Sequence, residues 1–234
     1  MKRAVLSELN AERTARRAVI VITDVVSGEQ RLVKAAGIAG DPLHEQLAAQ
    51  LRTGKSGIVE VDGRKLFLNV YAPTARLVMI GAVHIAQTLA PLAQSLGYDV
   101  VVIDPRTAFA APERFPGISL FADWPDVALP PLKIDRYTAL VAMTHDPKID
   151  DPALLHALER ECFYIGALGS RKTHARRLER FRARGAGEAA LARIHAPIGL
   201  PIGAVSPAEI AVSIMAEITA SLRLPPRPER AGGA

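Results

Sequence analysis

Cysteine is almost absent: Cys162 is the single one in 234 residues. That excludes a disulfide framework and any cysteine-cluster metal site. Aromatic residues make up only 5%, too few to interleave with basic residues as single-strand nucleic-acid binders require. No run of 18 apolar residues occurs; the most apolar stretch, Leu66 to Leu89, is interrupted by Asn69, Pro73, Arg76, His84 and Gln87. A membrane-spanning helix is therefore not expected. Met1 to Glu8 has a basic start but an apolar stretch too short for a signal peptide, and the expectation is a soluble, cytoplasmic protein. There is no Gly-x-Ser-x-Gly elbow, no Walker loop and no His-Glu-x-x-His, so nothing points to a hydrolase or a metalloenzyme.

What is present is enough for a core. Hydrophobic residues are 49% and charged residues 23%, which excludes wholesale disorder. The length fits one large domain, or one medium and one small. The net charge of +5 is local: Arg171 to Arg184 carries seven cations and one Glu, a net of +6, leaving the rest of the chain at −1. Such a run usually reads as a solvated helix face, with Arg176, Arg177, Arg180 and Arg184 as a basic lip in the functional alternative. Binding of nucleic acid through this helix would show steep salt dependence.

The first 73 residues read as a small α+β unit. A polar helix over 2–17 precedes a β-rich run, Ala18 to Asp24, a Ser27-Gly28 turn and a strand from Gln30 to Val33. Asp41-Pro42 opens a helix with Leu43, Leu47 and Leu51 on one face, and Asp62-Gly63 joins a hairpin of Gly57 to Val61 and Lys65 to Val70. From Ala75 the pattern alternates. Leu77 to Ile80, Val100 to Ile103, Ala139 to Met143 and Cys162 to Gly166 are short continuous apolar runs, as strands buried on both faces require. A helix with Ile85, Leu89, Leu92 and Leu96 in one stripe lies between the first two, and residues 106–136 look irregular apart from a strand at Ile118 to Phe121. Asp151-Pro152 starts another helix, Asp150-Asp151 reading as caps, and the capping box Ser206-Pro207-Ala208-Glu209 opens a last helix buried through Ile210, Ile214, Ile218 and Leu222. The fold class expected is α/β: a Rossmann-like doubly wound parallel sheet over 74–222, a small α+β domain over 1–73, and a flexible tail over 223–234.

Four loops then fall at the carboxyl ends of strands, where open α/β sheets bind ligands. Gly81-Ala82-Val83-His84 keeps only the first glycine of a dinucleotide turn, and Asp104, 23 residues on, sits where a ribose-binding carboxylate would. The helix start there favours an anion by about 0.3–1 kcal/mol. His84 reads either as a donor to a ligand phosphate or as a histidine bonded to a neighbouring loop. Thr144-His145-Asp146 follows the third strand, with helix capping as the structural alternative for Asp146. Gly166-Ala167-Leu168-Gly169-Ser170-Arg171 supplies glycines, a hydroxyl and a guanidinium at a helix start, the parts of an anion cradle. His195 to Ala204, with Gly199 and Gly203, spaces Pro and Gly so that neither helix nor ladder is expected. Cys162 reads as an inert core thiol.

Together these stretches resemble the XdhC/CoxI family, accessory factors of xanthine dehydrogenase and related molybdenum hydroxylases. The resemblance rests on Leu77–Asp104 (LVMIGAVHIAQTLAPLAQSLGYDVVVID), Thr144–Asp151 (THDPKIDD), Tyr164–Arg171 (YIGALGSR) and Ala196–Glu217 (APIGLPIGAVSPAEIAVSIMAE), and spans about residues 75–222. It implies a chaperone rather than a turnover catalyst, one that binds molybdenum cofactor, assists its sulfuration and inserts it into a hydroxylase apoenzyme of the xanthine dehydrogenase or CO dehydrogenase type. Further implied partners are a cysteine desulfurase or a cofactor nucleotidyltransferase, and a second copy in a homodimer, with no nucleic acid and no membrane. Carried onto this chain, the cofactor contacts would be Gly81, Ala82, His84, Asp104, Thr144, His145, Asp146, Gly166, Gly169, Ser170, Arg171, Gly199 and Gly203. The family's Gly-Gly-Cys-x-Glu motif has no counterpart, since residues 1–73 hold no cysteine. The family's Gly-Ala-Gly-His turn is Gly81-Ala82-Val83-His84 here. The alternative is an NAD(P)-binding oxidoreductase using the same sheet.

Overall fold

A computed structural model describes residues 3–225. It separates into a unit of residues up to Pro73, which also takes in the described residues from Arg223, and a second unit, Thr74–Leu222. Most of the tail expected at 223–234 lies outside the described residues.

In the first unit α1 (Arg3–Thr14) is followed by β1 (Val19–Asp24), β2 (Gln30–Lys34), α2 (His44–Thr53), β3 (Gly57–Val61) and β4 (Arg64–Tyr71). They make an antiparallel sheet in the order β2-β1-β4-β3. β1 is central and apolar on successive residues because both of its faces are covered. Ile20 and Ile22 pack with Leu47, Leu66 and Leu68, while Val19 and Val21 pack with Leu9 of α1. The Asp62-Gly63 turn closes β3 on β4 with Val61 opposite Arg64.

The second unit is built on β5 (Arg76–Ile80), β6 (Asp99–Ile103), β7 (Ser119–Phe121), β8 (Thr138–Ala142), β9 (Tyr164–Ala167) and β10 (Ile194–His195), all parallel, in the order β10-β9-β8-β5-β6-β7. The order reverses between β5 and β8, the switch point of a doubly wound sheet. Alternate residues face opposite layers. Leu77, Met79, Val141 and Tyr164 meet Ile85 and Leu89 of α3 (His84–Ser95) and Ile214 and Ile218 of α8 (Pro207–Arg223). Val78, Ile80, Leu140 and Ile165 meet Leu129 of α4 (Pro125–Leu132), Leu154 of α5 (Pro147–Glu159) and Phe181 of α6 (Arg171–Ala183). α7 (Glu188–Leu191) is a single turn before β10.

Four expectations change. The segment 106–136 holds a helix, α4, because Trp124-Pro125 supplies an extended residue followed by a proline whose missing N–H costs nothing at a helix start. α5 begins at Pro147, not Asp151: Asp146 is the cap, its carboxylate accepting from Lys148 N at 2.9 Å. Asp150 and Asp151 are therefore inside a helix and buried, not caps. Finally, Ile194-His195 does form a ladder, pairing with Ile165 and Gly166 as the sixth strand. The capping box of α8 is present in both directions: Ser206 Oγ accepts from Glu209 N, and Glu209 accepts from the N–H groups of Val205 and Ser206.

Candidate functional site

Each parallel strand delivers its following loop to the same edge, and the loops after β5, β6, β8 and β9 are neighbours there. Gly81 leaves β5 with φ +112°, and a Cβ on it would stand 2.8 Å from Thr144 Cγ2. Its backbone conformation and the close approach of the loop after β8 both demand glycine. Val83 then heads α3 with no side-chain cap, and His84 is exposed.

Asp104, at the end of β6, is fully buried. Its carboxylate accepts four hydrogen bonds: from Ala82 N at 2.8 Å, from Arg106 N at 3.0 Å, and from Arg106 Nε and Nη2 at 2.9 and 2.8 Å. Burial would push this carboxyl up, but the bonds from Arg106 and Ala82 outweigh it and hold the group below the usual range. All its lone-pair directions are taken. Asp104 thus stitches the first turn closed, its carboxylate turned to Ala82 and Arg106.

The loop after β8 is held from beneath. Asp150 accepts from Thr144 N, Thr144 Oγ1 and His145 N at 3.2, 2.7 and 3.1 Å. His145 is thereby kept at φ +64°, a left-handed conformation uncommon outside glycine, with its side chain exposed. Behind Asp150 stands Arg177 of α6, only 2% exposed, 3.9 Å from Asp150 Oδ2 and 3.8 Å from Asp151 Oδ1. Its Nε and Nη1 find no hydrogen-bond partner among the described residues. Burial pushes Asp150 up and Arg177 down. The basic helix is consequently not a uniform solvated face: Arg177 is inside, Arg180 is bidentate on Asp151 and Arg182 on Glu188.

After β9, Ser170 caps α6 by accepting from Thr173 N, and Arg171 is exposed. Gly169, at φ +135°, abuts the previous loop: a Cβ there would lie 3.9 Å from His145 Nδ1. The loop after β10 packs onto α8. Glu217 accepts from Gly199 N at 2.7 Å and Tyr164 Oη at 2.5 Å, and faces His195 Nδ1 at 3.0 Å. Burial opposes ionisation of Glu217, yet His195, Tyr164 and Gly199 together hold it below the ordinary range, and burial with the adjacent carboxylate pushes Tyr164 far up. A Cβ at Gly199 would collide with Ser213 Oγ, and one at Gly166 would meet Ile198 at 2.5 Å. Gly203 turns in open space at φ +77°.

Of the residues singled out in the sequence, Gly81, Ala82, His84, Thr144, His145, Asp146, Gly169, Ser170 and Arg171 lie on the adjoining loops of this edge. Gly166 lies within β9 and Gly199 against α8, each explained by packing. Arg106 and the Tyr164–His195–Glu217 group were missed, while Asp150 was read as a cap and Arg177 as part of a solvated face or basic lip. Only Arg106 carried a local signal, its i+2 spacing from an acid that ends a strand. Cys162 is buried, its thiol pushed up to about 12. A cavity of about 370 Å³ lies elsewhere, in the first unit. It sets Asp24, Glu29 and Asp62 against Arg31 and Arg64, a balance that disfavours an anionic guest. No described helix is long and apolar enough to cross a membrane, and no metal-binding cluster occurs among the described residues.

The chain also matches known proteins. A family model described as the XdhC Rossmann domain matches residues 77–218. The molybdenum cofactor insertion chaperone PaoD of Escherichia coli K12 is 32% identical over 199 residues, 84% of this chain and 53% of PaoD. A probable xanthine dehydrogenase subunit from Bacillus subtilis 168 is 33% identical over 154 residues, 65% of this chain and 44% of that one. A crystal structure of a xanthine dehydrogenase from Bacillus halodurans superposes with TM-score 0.69 at 25% identity, covering 94% of this chain and 67% of that chain. The chain spans only 28% to 53% of the length of the curated relatives it matches.

Proposed function

We propose, for a chain that belongs to the XdhC family, that the second unit receives molybdenum cofactor at its carboxyl edge and hands it to a molybdenum hydroxylase apoenzyme. The observation that carries this is the 32% identity to a protein named as an insertion chaperone, extending over 84% of the chain. The geometry supports it. Three neighbouring loops, after β5, β8 and β9, carry the start of α3, exposed His84 and His145, and the Ser170-Arg171 start of α6 at one edge of the sheet. An anionic cargo suits that set of N–H donors and cations. Ala82, Thr144, Asp146 and Asp104 then act as scaffold of the rim, with Gly166 and Gly199 shaping the wall behind it and Gly203 turning the loop in open space. A nicotinamide dinucleotide fits less well: the carboxylate that would take its ribose hydroxyls is saturated by Arg106 and Ala82.

The role is that of a carrier. The chain's one thiol is buried and held protonated, so sulfur added to the cargo comes from a desulfurase partner rather than from a persulfide on these residues. The test is to purify the chain from a molybdenum-replete host and measure molybdenum and released pterin. Both are expected in a fixed ratio to protein, and both should fall in Arg171→Ala while the fold is kept. A preparation free of pterin, with NADH or NADPH bound at micromolar affinity instead, would overturn the reading.

A further inference from the structure

At the end of the second strand a dinucleotide fold ordinarily offers a carboxylate to a ribose diol. This chain has turned that carboxylate inward, and what stands outside it is a guanidinium. The geometry points to Arg106 as the ligand-facing group of the β6 loop, and to a phosphate monoester as the chemistry it takes. The inference rests on the reading of the carboxyl edge as the cargo site and goes further, by assigning a subsite and its ligand class.

Asp104 engages Nε and Nη2 of Arg106 side-on. A guanidinium has five N–H donors. Two are used, and the other three point away from the carboxylate with no partner assigned to them among the described residues. Asp104 is 0% exposed, whereas the Arg106 side chain is 35% exposed, so of the two side chains only that of Arg106 meets solvent. Its plane is fixed from a second side: the Arg106 carbon Cζ lies 4.3 Å from the centre of the Phe109 ring. The main chain that carries this ring is held in turn, since Phe109 N and Ala110 N both bond Arg106 O, and Arg114 ties Phe109 O to Gln87 of α3. Asp104 Oδ2 also accepts from Ala82 N, so the fork sits one oxygen atom away from the turn into α3.

Such a side chain has lost its rotamer freedom before any ligand arrives, which removes much of the ordering cost of binding. Its free edge presents parallel N–H groups, the arrangement that matches two oxygens of a phosphate better than the hydroxyls of a diol. Asp146 and Asp150 lie within its electrostatic reach across the rim. Asp146 caps α5 through Oδ1, and Asp150 is taken up by Thr144 and His145. Two sources carry the group: a nucleotide phosphorylated on its ribose, and the side-chain phosphate of a pterin.

The full chain distinguishes them by calorimetric titration in two pairs. One pair is adenosine 2′-monophosphate against adenosine; the other is oxidised pterin phosphate against its phosphatase-treated form. In the arm that names the source, the phosphorylated member binds about tenfold tighter or more than its twin. Arg106→Gln alone strands a buried carboxylate, so the deciding variant is Asp104→Asn/Arg106→Gln, which removes both charges; its folding is checked by thermal melting. In the folded double variant the preference falls to near unity. Equal affinities for both twins in both arms, no binding in either, or a preference retained by the double variant overturns the inference. Molybdenum retained on purification without a phosphate preference would leave the cargo reading standing and this subsite lost. A phosphate preference without molybdenum would do the reverse.

Discussion

Replacing Glu217 by Ala removes one acceptor from three donors at once. Tyr164 Oη, at 1% residue exposure, and Gly199 N lose partners at 2.5 and 2.7 Å, while His195, half-buried at the sheet edge, can turn to water. A buried donor left unsatisfied costs about 1–3 kcal/mol. Two of them give a loss of about 2–6 kcal/mol, and the water-facing imidazole adds little. Glu217→Gln keeps an acceptor oxygen but forfeits the charge, and should lose about 1–2 kcal/mol. Trp124 is the single tryptophan and lies in the second unit, so its fluorescence during urea unfolding reports on that unit alone. Thermal midpoints should fall by about 2–4 °C per kcal/mol. Because Glu217 is held below its unfolded value, the network's stabilisation is complete above about pH 4.3 and is lost as pH falls through the folded value. The gap between wild type and Glu217→Ala should therefore narrow on acidification. A loss under about 1 kcal/mol at neutral pH, or a gap that widens with acid, would refute the assignment of Glu217 as the clamp of this loop.

Gly81→Ala should cost about 1–3 kcal/mol in urea unfolding, from its φ of +112°. Adding Thr144→Ser, which deletes the methyl 2.8 Å from the new Cβ, should recover only the steric part. Full recovery would show that the backbone conformation carries no cost. Arg177→Met should lose about 3–5 kcal/mol by stranding Asp150, and Arg177→Met/Asp150→Asn should lose less than the sum of the singles. A neutral single variant would mean that the two groups do not depend on each other. Cys162, its thiol pushed up to about 12, should resist iodoacetamide at about pH 8 in the native chain and label completely in urea, as read by mass spectrometry. Native labelling within minutes would place it outside the core.

Local chemistry alone determined the alternation of buried strands and helices, because a strand covered on both faces must be apolar at successive residues, as at Leu77 to Ile80 and Val100 to Ile103. The Asp62-Gly63 turn and the Ser206–Glu209 capping box were legible for the same reason: each is a set of bonds between near neighbours. The family resemblance rested on four such stretches in order. What stayed hidden depends on groups far apart in the chain. α4 lay under three prolines, of which Pro125 opens the helix and Pro130 and Pro131 fall in its last turn. Asp104 looked like a ligand carboxylate until Ala82, 22 residues away, was seen to donate to it. Arg177 looked solvated until folding set it beside Asp150 and Asp151. Glu217 gained its meaning from Tyr164, 53 residues earlier. Periodicity encodes which face of an element is buried; it carries no record of which distant donor will saturate a given carboxylate. That pairing is decided when parallel strands bring their loops to one edge, and there the free groups are separated from the spent ones.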